Sequence, residues 1–145
     1  MSLEAFTRRE LKSQDSDFLL EWRNQSGVFE LQRNQRRINP DEHLKWITRR
    51  LNNLQSEPFL VYVSNNLVLA FVRFDAVEAS KFEVSILLNP SLRGKRLSET
   101  ILRDAIKYIL DKFQVKELVA TIHVNNIPSI RLFSSLNFSF YDSTK

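Results

Sequence analysis

The chain has no cysteine, and only two glycines, four prolines and one methionine among 145 residues. Lacking cysteine, it can have no disulfide, no thiolate nucleophile and no cysteine-bound metal, and it suits a reducing cytosol. Its two histidines, His43 and His123, stand far apart without ligand spacing, so no metal site is expected. Neither an apolar run of about 18 residues nor a basic, apolar leader is present, so the expectation is a cytoplasmic protein with no membrane segment. Average usage would give on the order of ten glycines in a chain of this length. A glycine retained in so sparing a sequence points to a demand of the backbone. Gly94 sits between the apolar run ending at Leu88 and a long amphipathic pattern beginning near residue 95.

Apolar residues make up 43% and charged residues 26%, which describes one folded domain spanning residues 1–145. Met1-Ser2-Leu3 reads as a vector-derived start. The net charge of +4 is spread over Arg8-Arg9, Arg33 to Arg37, Arg49-Arg50 and Arg93 to Arg96. Such dispersion argues for solvated faces and one anion site, not for a nucleic-acid stripe.

Local patterns give an order of elements. Residues 4–11 suit a strand, and 15–24 a helix with Phe18, Leu19 and Trp22 on its apolar side. Residues 25–37 are polar and irregular. Asn39-Pro-Asp-Glu42 is a helix start: Asn39 caps, Pro40 takes the first helical position and Glu42 reaches back. That helix buries Leu44, Ile47, Leu51 and Leu54. Strands at 58–63 and 67–74 form a hairpin through Ser64-Asn-Asn66, and a further strand at 81–88 has an apolar end suited to burial on both faces. A helix over 95–113 carries Leu97, Ile101, Ala105, Ile109 and Phe113 inward, with Arg103, Asp104, Lys107 and Asp111 outward. A strand at 116–124, a helix at 127–136 and a short strand at 138–141 complete the chain. The 82–124 stretch should be a right-handed parallel crossover.

A strand, then a basic loop around glycine, then a helix start makes an anion site, because unpaired N–H groups and the positive end of the macrodipole meet there. The ligand expected is a phosphorylated cofactor. With Asn126-Ile-Pro-Ser-Ile-Arg-Leu-Phe133 following the next strand, nearly the whole chain resembles the GCN5-related N-acetyltransferase (GNAT) superfamily. The resemblance implies a mixed α/β fold: a mostly antiparallel sheet of about six strands with a central, splayed parallel pair, and four helices. It implies acetyl-CoA as cosubstrate, with main-chain groups at Leu87 and Leu88 gripping the pantetheine arm. Arg93-Gly-Lys-Arg-Leu-Ser98 would cradle the pyrophosphate, and Asn126, Ser129 and Arg131 would contact the pantetheine and nucleotide end.

Four positions depart from the family pattern. Arg96 and Ser98 replace small residues. Arg96 either adds a phosphate contact or crowds the loop. Asn137 stands at a usual glycine. Phe133 replaces a tyrosine that many relatives use to protonate the leaving thiolate, and phenylalanine has no proton to give.

Glu21-Trp-Arg-Asn24, Pro40-Asp-Glu-His43-Leu-Lys-Trp46 and Val72-Arg-Phe-Asp75 resemble more narrowly the acetyltransferases of nonulosonic-acid (pseudaminic-type) pathways. Those act on the 4-amino group of a UDP-linked deoxy sugar. The chain stops soon after its last strand, so a homodimer partner or a fused domain is expected to complete the sheet.

Acetyl transfer needs a neutral amine, a held thioester and a donor at the developing oxyanion. Glu83 is the candidate base, since it shares a strand face with Ser85 and Leu87; an exposed strand-end carboxylate is the alternative. The main-chain N–H near Leu87 is the candidate oxyanion donor. Arg73 and Asp75 alternate onto one face, either as substrate clamp and base or as a surface ion pair. Arg23 and Asn24 bind the substrate's phosphate, or Arg23 complements a helix end. His43 is a half-buried structural histidine or a substrate contact. Trp22 and Trp46 are core or pocket wall, and His123 faces either the core or the acceptor cleft. Three functions follow: an amino-sugar N-acetyltransferase, a protein or peptide N-terminal acetyltransferase, and a non-catalytic acyl-CoA-binding domain.

Overall fold

A computed structural model describes residues 5–25, 36–93 and 96–141. Five strands lie side by side in chain order: β1 (Thr7–Glu10), β2 (Phe59–Ser64), β3 (Leu67–Glu78), β4 (Lys81–Leu88) and β5 (Glu117–Val119). The first four pair antiparallel and β4 with β5 parallel. Four helices flank them: α1 (Ser16–Arg23), α2 (Pro40–Leu51), α3 (Leu97–Lys112) and α4 (Ile127–Ser135).

Strand alternation divides the core in two. Even-numbered side chains, Leu60, Tyr62, Val72, Phe74, Phe82 and Val84, pack against Leu97, Ile101, Leu102, Ala105 and Ile109 of α3. Odd-numbered Phe59, Val61 and Phe71 pack against Leu19 and Trp22 of α1 and Ile47 of α2. The sheet is thus the middle layer, and the odd face of β4 turns towards α1 and α2.

Several expectations hold for local reasons. Asn39 accepts the Asp41 N–H at 2.7 Å ahead of Pro40. Asn65 and Asn66, at φ of 50° and 67°, supply the two left-handed residues that a tight hairpin needs. Asp104 does not join the outer face of α3. It accepts from the buried Tyr62 hydroxyl at 2.7 Å and pairs with Arg8. Phe18 and Leu44 are exposed, and Arg50 takes the place in the α2 core stripe expected of Leu44.

Two strand predictions fail. Residues 120–124 do not pair, so β5 has three residues and the parallel pair lies at the sheet's edge among the described residues, not at its centre. Residues 138–141 form no strand. Instead the Phe138 N–H reaches the Phe133 carbonyl (3.1 Å) and the Asn137 N–H that of Ser134 (3.0 Å), closing α4 with a left-handed Asn137 at φ 71°. That geometry explains why a glycine suits position 137. Residues 26–35 and the loop residues Gly94 and Lys95 lie outside the described part.

Candidate active site

β4 and β5 hold together only at Lys81, Phe82 and Glu83, opposite Glu117, Leu118 and Val119. Beyond that point they part, and a cleft of about 850 Å³ opens between them and runs over the odd face of the sheet to α1 and α2. The expected two-sided burial of residues 85–88 is therefore absent; they are half-buried along this opening.

Register decides which main-chain groups face the gap. The Asn89 N–H donates to the Leu69 carbonyl at 2.8 Å, and Leu87 lies opposite Phe71 in the same ladder. By the two-residue period of an antiparallel ladder, the N–H groups of odd residues point at β3. Leu87 therefore cannot offer its N–H to the cleft. Ile86 and Leu88 turn theirs to the parted side, where nothing in β5 pairs with them. Register therefore turns the N–H of Ile86, and not that of the expected donor Leu87, towards the cleft. Leu88 lines the cleft, while the Leu87 side chain packs with the odd-face cluster.

At the phosphate end, Arg93 lines the cleft. Leu97 is buried in the α3 core, so only its main chain can meet a ligand. Ser98 is half-buried in the first turn of α3. Arg96 is the residue preceding α3 and adopts a left-handed conformation, φ 59° and ψ 18°. Left-handed backbone costs a side-chain-bearing residue about 1–2 kcal/mol, which accounts for the small residue usual there. Arg96→Gly should raise stability by about 1 kcal/mol, read as a higher thermal unfolding midpoint; an unchanged or lower midpoint would contradict strain at this position.

On the opposite wall, Asn126 caps α4 by accepting the Ser129 N–H at 3.3 Å, and Asn126, Ser129 and Phe133 all line the cleft. Phe133 meets Phe138 edge-on at 5.0 Å and brings no polar atom. Arg131 is exposed and lies outside the cleft wall. His123, whose direction the sequence left open, does line it.

The acceptor half is built on Trp46. The Arg23 guanidinium lies 4.2 Å from its ring centre and that of Arg73 lies 5.3 Å away. Burial, with the Arg73 charge nearby, pulls Arg23 down to about 10, so it stays charged at neutral pH. Arg73 contacts Asp75 at 3.4 Å, and Asp75 also binds Arg50, which is buried under the cleft floor and bonded to the Phe74 carbonyl at 3.2 Å. Burial alone would raise the Asp75 carboxyl, but Arg73's charge and Arg50's hydrogen bond outweigh it and hold it below the ordinary range. A carboxylate so held is a weaker base than an ordinary one. Glu83 lies opposite Asp75 in the ladder and lines the cleft with Arg73.

Three candidates for substrate contact make structural contacts, and of these His43 also lines the cleft. Trp22 is buried edge-on to Phe71 at 5.3 Å. Asn24 clamps Ile38 by both its N–H and its carbonyl. The buried His43 donates Nε2–H to the Ser16 carbonyl at 3.0 Å, tying α2 to the start of α1. Burial, chiefly, lowers the His43 pKa and keeps its ring neutral. Arg36, paired with Glu42 at 3.2 Å, joins the cleft wall without any sequence expectation.

A family model described as "Acetyltransferase (GNAT) domain" matches residues 6–139. The chain belongs to the GNAT acetyltransferase family and is an acetyl-CoA-dependent N-acetyltransferase. Among solved structures it is similar to an N-acetyltransferase from Staphylococcus aureus Mu50: 26% identity, 92% of this chain and 82% of that one, TM-score 0.74. It is similar also to yncA from Salmonella typhimurium, solved with its cofactor acetyl-CoA: 26% identity, 93% and 80% coverage, TM-score 0.72. Spermidine N-acetyltransferase from Vibrio cholerae, in complex with CoA and spermine, shares the fold at 17% identity, 96% and 83% coverage and TM-score 0.82. No curated protein sequence matches significantly. Among the described residues no acidic or histidine cluster could hold a metal, and no helix is long and apolar enough to cross a membrane.

The open edge at Ile86 and Leu88 and the basic residue at the α3 end fit a pantetheine arm and its diphosphate. When bound, acetyl-CoA supplies an activated acetyl group. On the chain's own side, the Ile86 N–H faces the opening, and Glu83 and the aromatic rings of Trp46, Phe59 and Phe71 line the same cleft.

Proposed function

We propose that the chain acetylates a primary amine on a molecule that also carries negative charge, with the 4-amino group of a nucleotide-linked deoxy amino sugar in surface-glycan biosynthesis as the acceptor. The observation that carries this is the pair of guanidinium groups, Arg23 and Arg73, gathered on Trp46 in the acceptor half. Two like charges brought together in a half-buried site are stabilised by an anion that both can reach, and guanidinium suits phosphate oxygens. The same charges oppose a polycation such as spermidine. Trp46 adds a flat apolar wall for a ring.

The test is release of free CoA with a UDP-4-amino-deoxysugar, an N-terminal peptide or spermidine as acceptor. Turnover on the sugar alone is expected. Turnover on peptide or polyamine with none on the sugar would replace this acceptor by that one. Arg73→Met should raise KM for the sugar nucleotide about 10- to 100-fold, the loss of one charge-assisted hydrogen bond, and leave KM for acetyl-CoA unchanged. An equal rise in both constants would mean a disturbed cleft and not a lost acceptor contact.

A further inference from the structure

His123 stands in the part of the chain that leaves the sheet, yet alternation persists through it. Ala120 and Ile122 pack into the core beneath α3, which leaves Thr121 and His123 on the other face, the side of Glu83, Ser85 and Leu87. Carried forward from Glu83 opposite Val119, the parallel register sets His123 level with Leu87 across the gap. Its ring is half-buried on the cleft wall.

One contact sets the ring's chemistry. Nδ1 accepts the Asn125 main-chain N–H at 3.1 Å. A nitrogen that accepts holds a lone pair there, so the neutral ring carries its proton on Nε2. In that form the ring has one donor to offer the cleft and no lone pair left with which to act as a base. Elsewhere on this wall the Asn126 carbonyl is used by the Ser129 N–H and Phe133 has no donor, which leaves the Asn126 amide NH₂ and the short hydroxyls of Thr121 and Ser129 beside His123.

We propose that His123, as a neutral imidazole, donates its Nε2–H to the sulfur that departs from the acetyl group, a catalytic contact made by hydrogen bonding without proton transfer. The acceptor nitrogen bonds the acetyl carbon, the carbon–sulfur bond breaks, and the sulfur leaves with that electron pair. The amine's proton goes towards Glu83, and the imidazole keeps its own. A preorganised donor aimed at developing negative charge lowers the barrier because it need not reorient during the reaction. The proposal rests on coenzyme A lying between β4 and the 120–124 segment.

Three measurements test it. Nitrogen-15 NMR of the free protein should show His123 as the Nε2–H tautomer, and titration with coenzyme A should move that nitrogen. His123→Leu should lower kcat on the order of 10²-fold, as loss of one such donor does, with KM for acetyl-CoA unchanged. His123→Gln, whose amide nitrogen reaches the Nε2 position, should retain most activity. An Nδ1–H tautomer, a fully active leucine variant, or a glutamine variant as impaired as the leucine one would each overturn the assignment. Should the leucine variant fail to fold, the NMR tautomer and the glutamine variant decide. Calorimetry separates the two levels: no binding of coenzyme A by the wild type would unseat the cleft itself, whereas binding with an indifferent His123 would unseat only this role.

Discussion

Glu83→Gln lowers kcat at pH 7 by about 10²- to 10⁴-fold, the usual contribution of a positioned base, and the deficit shrinks as pH rises. An aliphatic or sugar amine is mostly protonated at neutral pH, and only its neutral form attacks. Glu83 sits on the cleft wall, level with Asp75 and on the face shared with Ser85 and Leu87. Asp75 pairs with Arg50 and Arg73, and Glu83, across the ladder from it on the cleft wall, is the carboxylate proposed to take the amine's proton, directly or through water. Above the amine's own pKa that service is unnecessary, so wild type and variant should converge there. A loss of equal size at every pH would assign Glu83 a structural part instead.

Asp75→Ala destabilises the fold by about 3–5 kcal/mol, because it strands the buried Arg50 guanidinium without its carboxylate. Urea unfolding would read the loss directly. Joint replacement, Arg50→Met with Asp75→Leu, should recover part of it, since the buried Arg50 charge goes together with its partner while the half-buried Arg73 loses its contact with Asp75. The pH dependence has a definite sign. The folded Asp75 carboxyl lies below its ordinary value, so its stabilisation is complete above the ordinary carboxylate range and fades as pH falls through the lowered folded value. Wild type and Asp75→Ala should therefore draw together in strong acid. A deficit that persists unchanged there would show that lost packing, not charge, sets the cost.

How much of this was legible in the chain depends on how local each signal is. The helix start at Asn39-Pro40, the Asn65-Asn66 turn and the full extent of β4 depend on neighbouring residues and could be read directly. Alternation placed Glu83, Ser85 and Leu87 on one face. It could not say which main-chain edge of β4 is open, because that depends on pairing with β3, and so the donor fell on Leu87 when Ile86 faces the gap. The shortness of β5 was hidden for a similar reason. Residues 120–124 keep a strand-like pattern, and only the third dimension shows that they pair with no strand among the described residues. Arg50 escaped notice because a charged residue on a helix is ordinarily solvated; its place on the α2 stripe with His43 and Ile47 was the available clue. Gly94 and Lys95 lie outside the described residues, and Arg96, next in the chain, has a left-handed backbone.

The division of β4 into odd and even positions makes the enzyme intolerant of a frame error in one short stretch. Deleting or inserting a single residue between 83 and 88 would exchange the two sides at a stroke: the base would be driven against the oily underside of α3, and Val84 or Ile86 would be left facing the acceptor. Evolution can vary the side chains of this strand one at a time, but it cannot change their number.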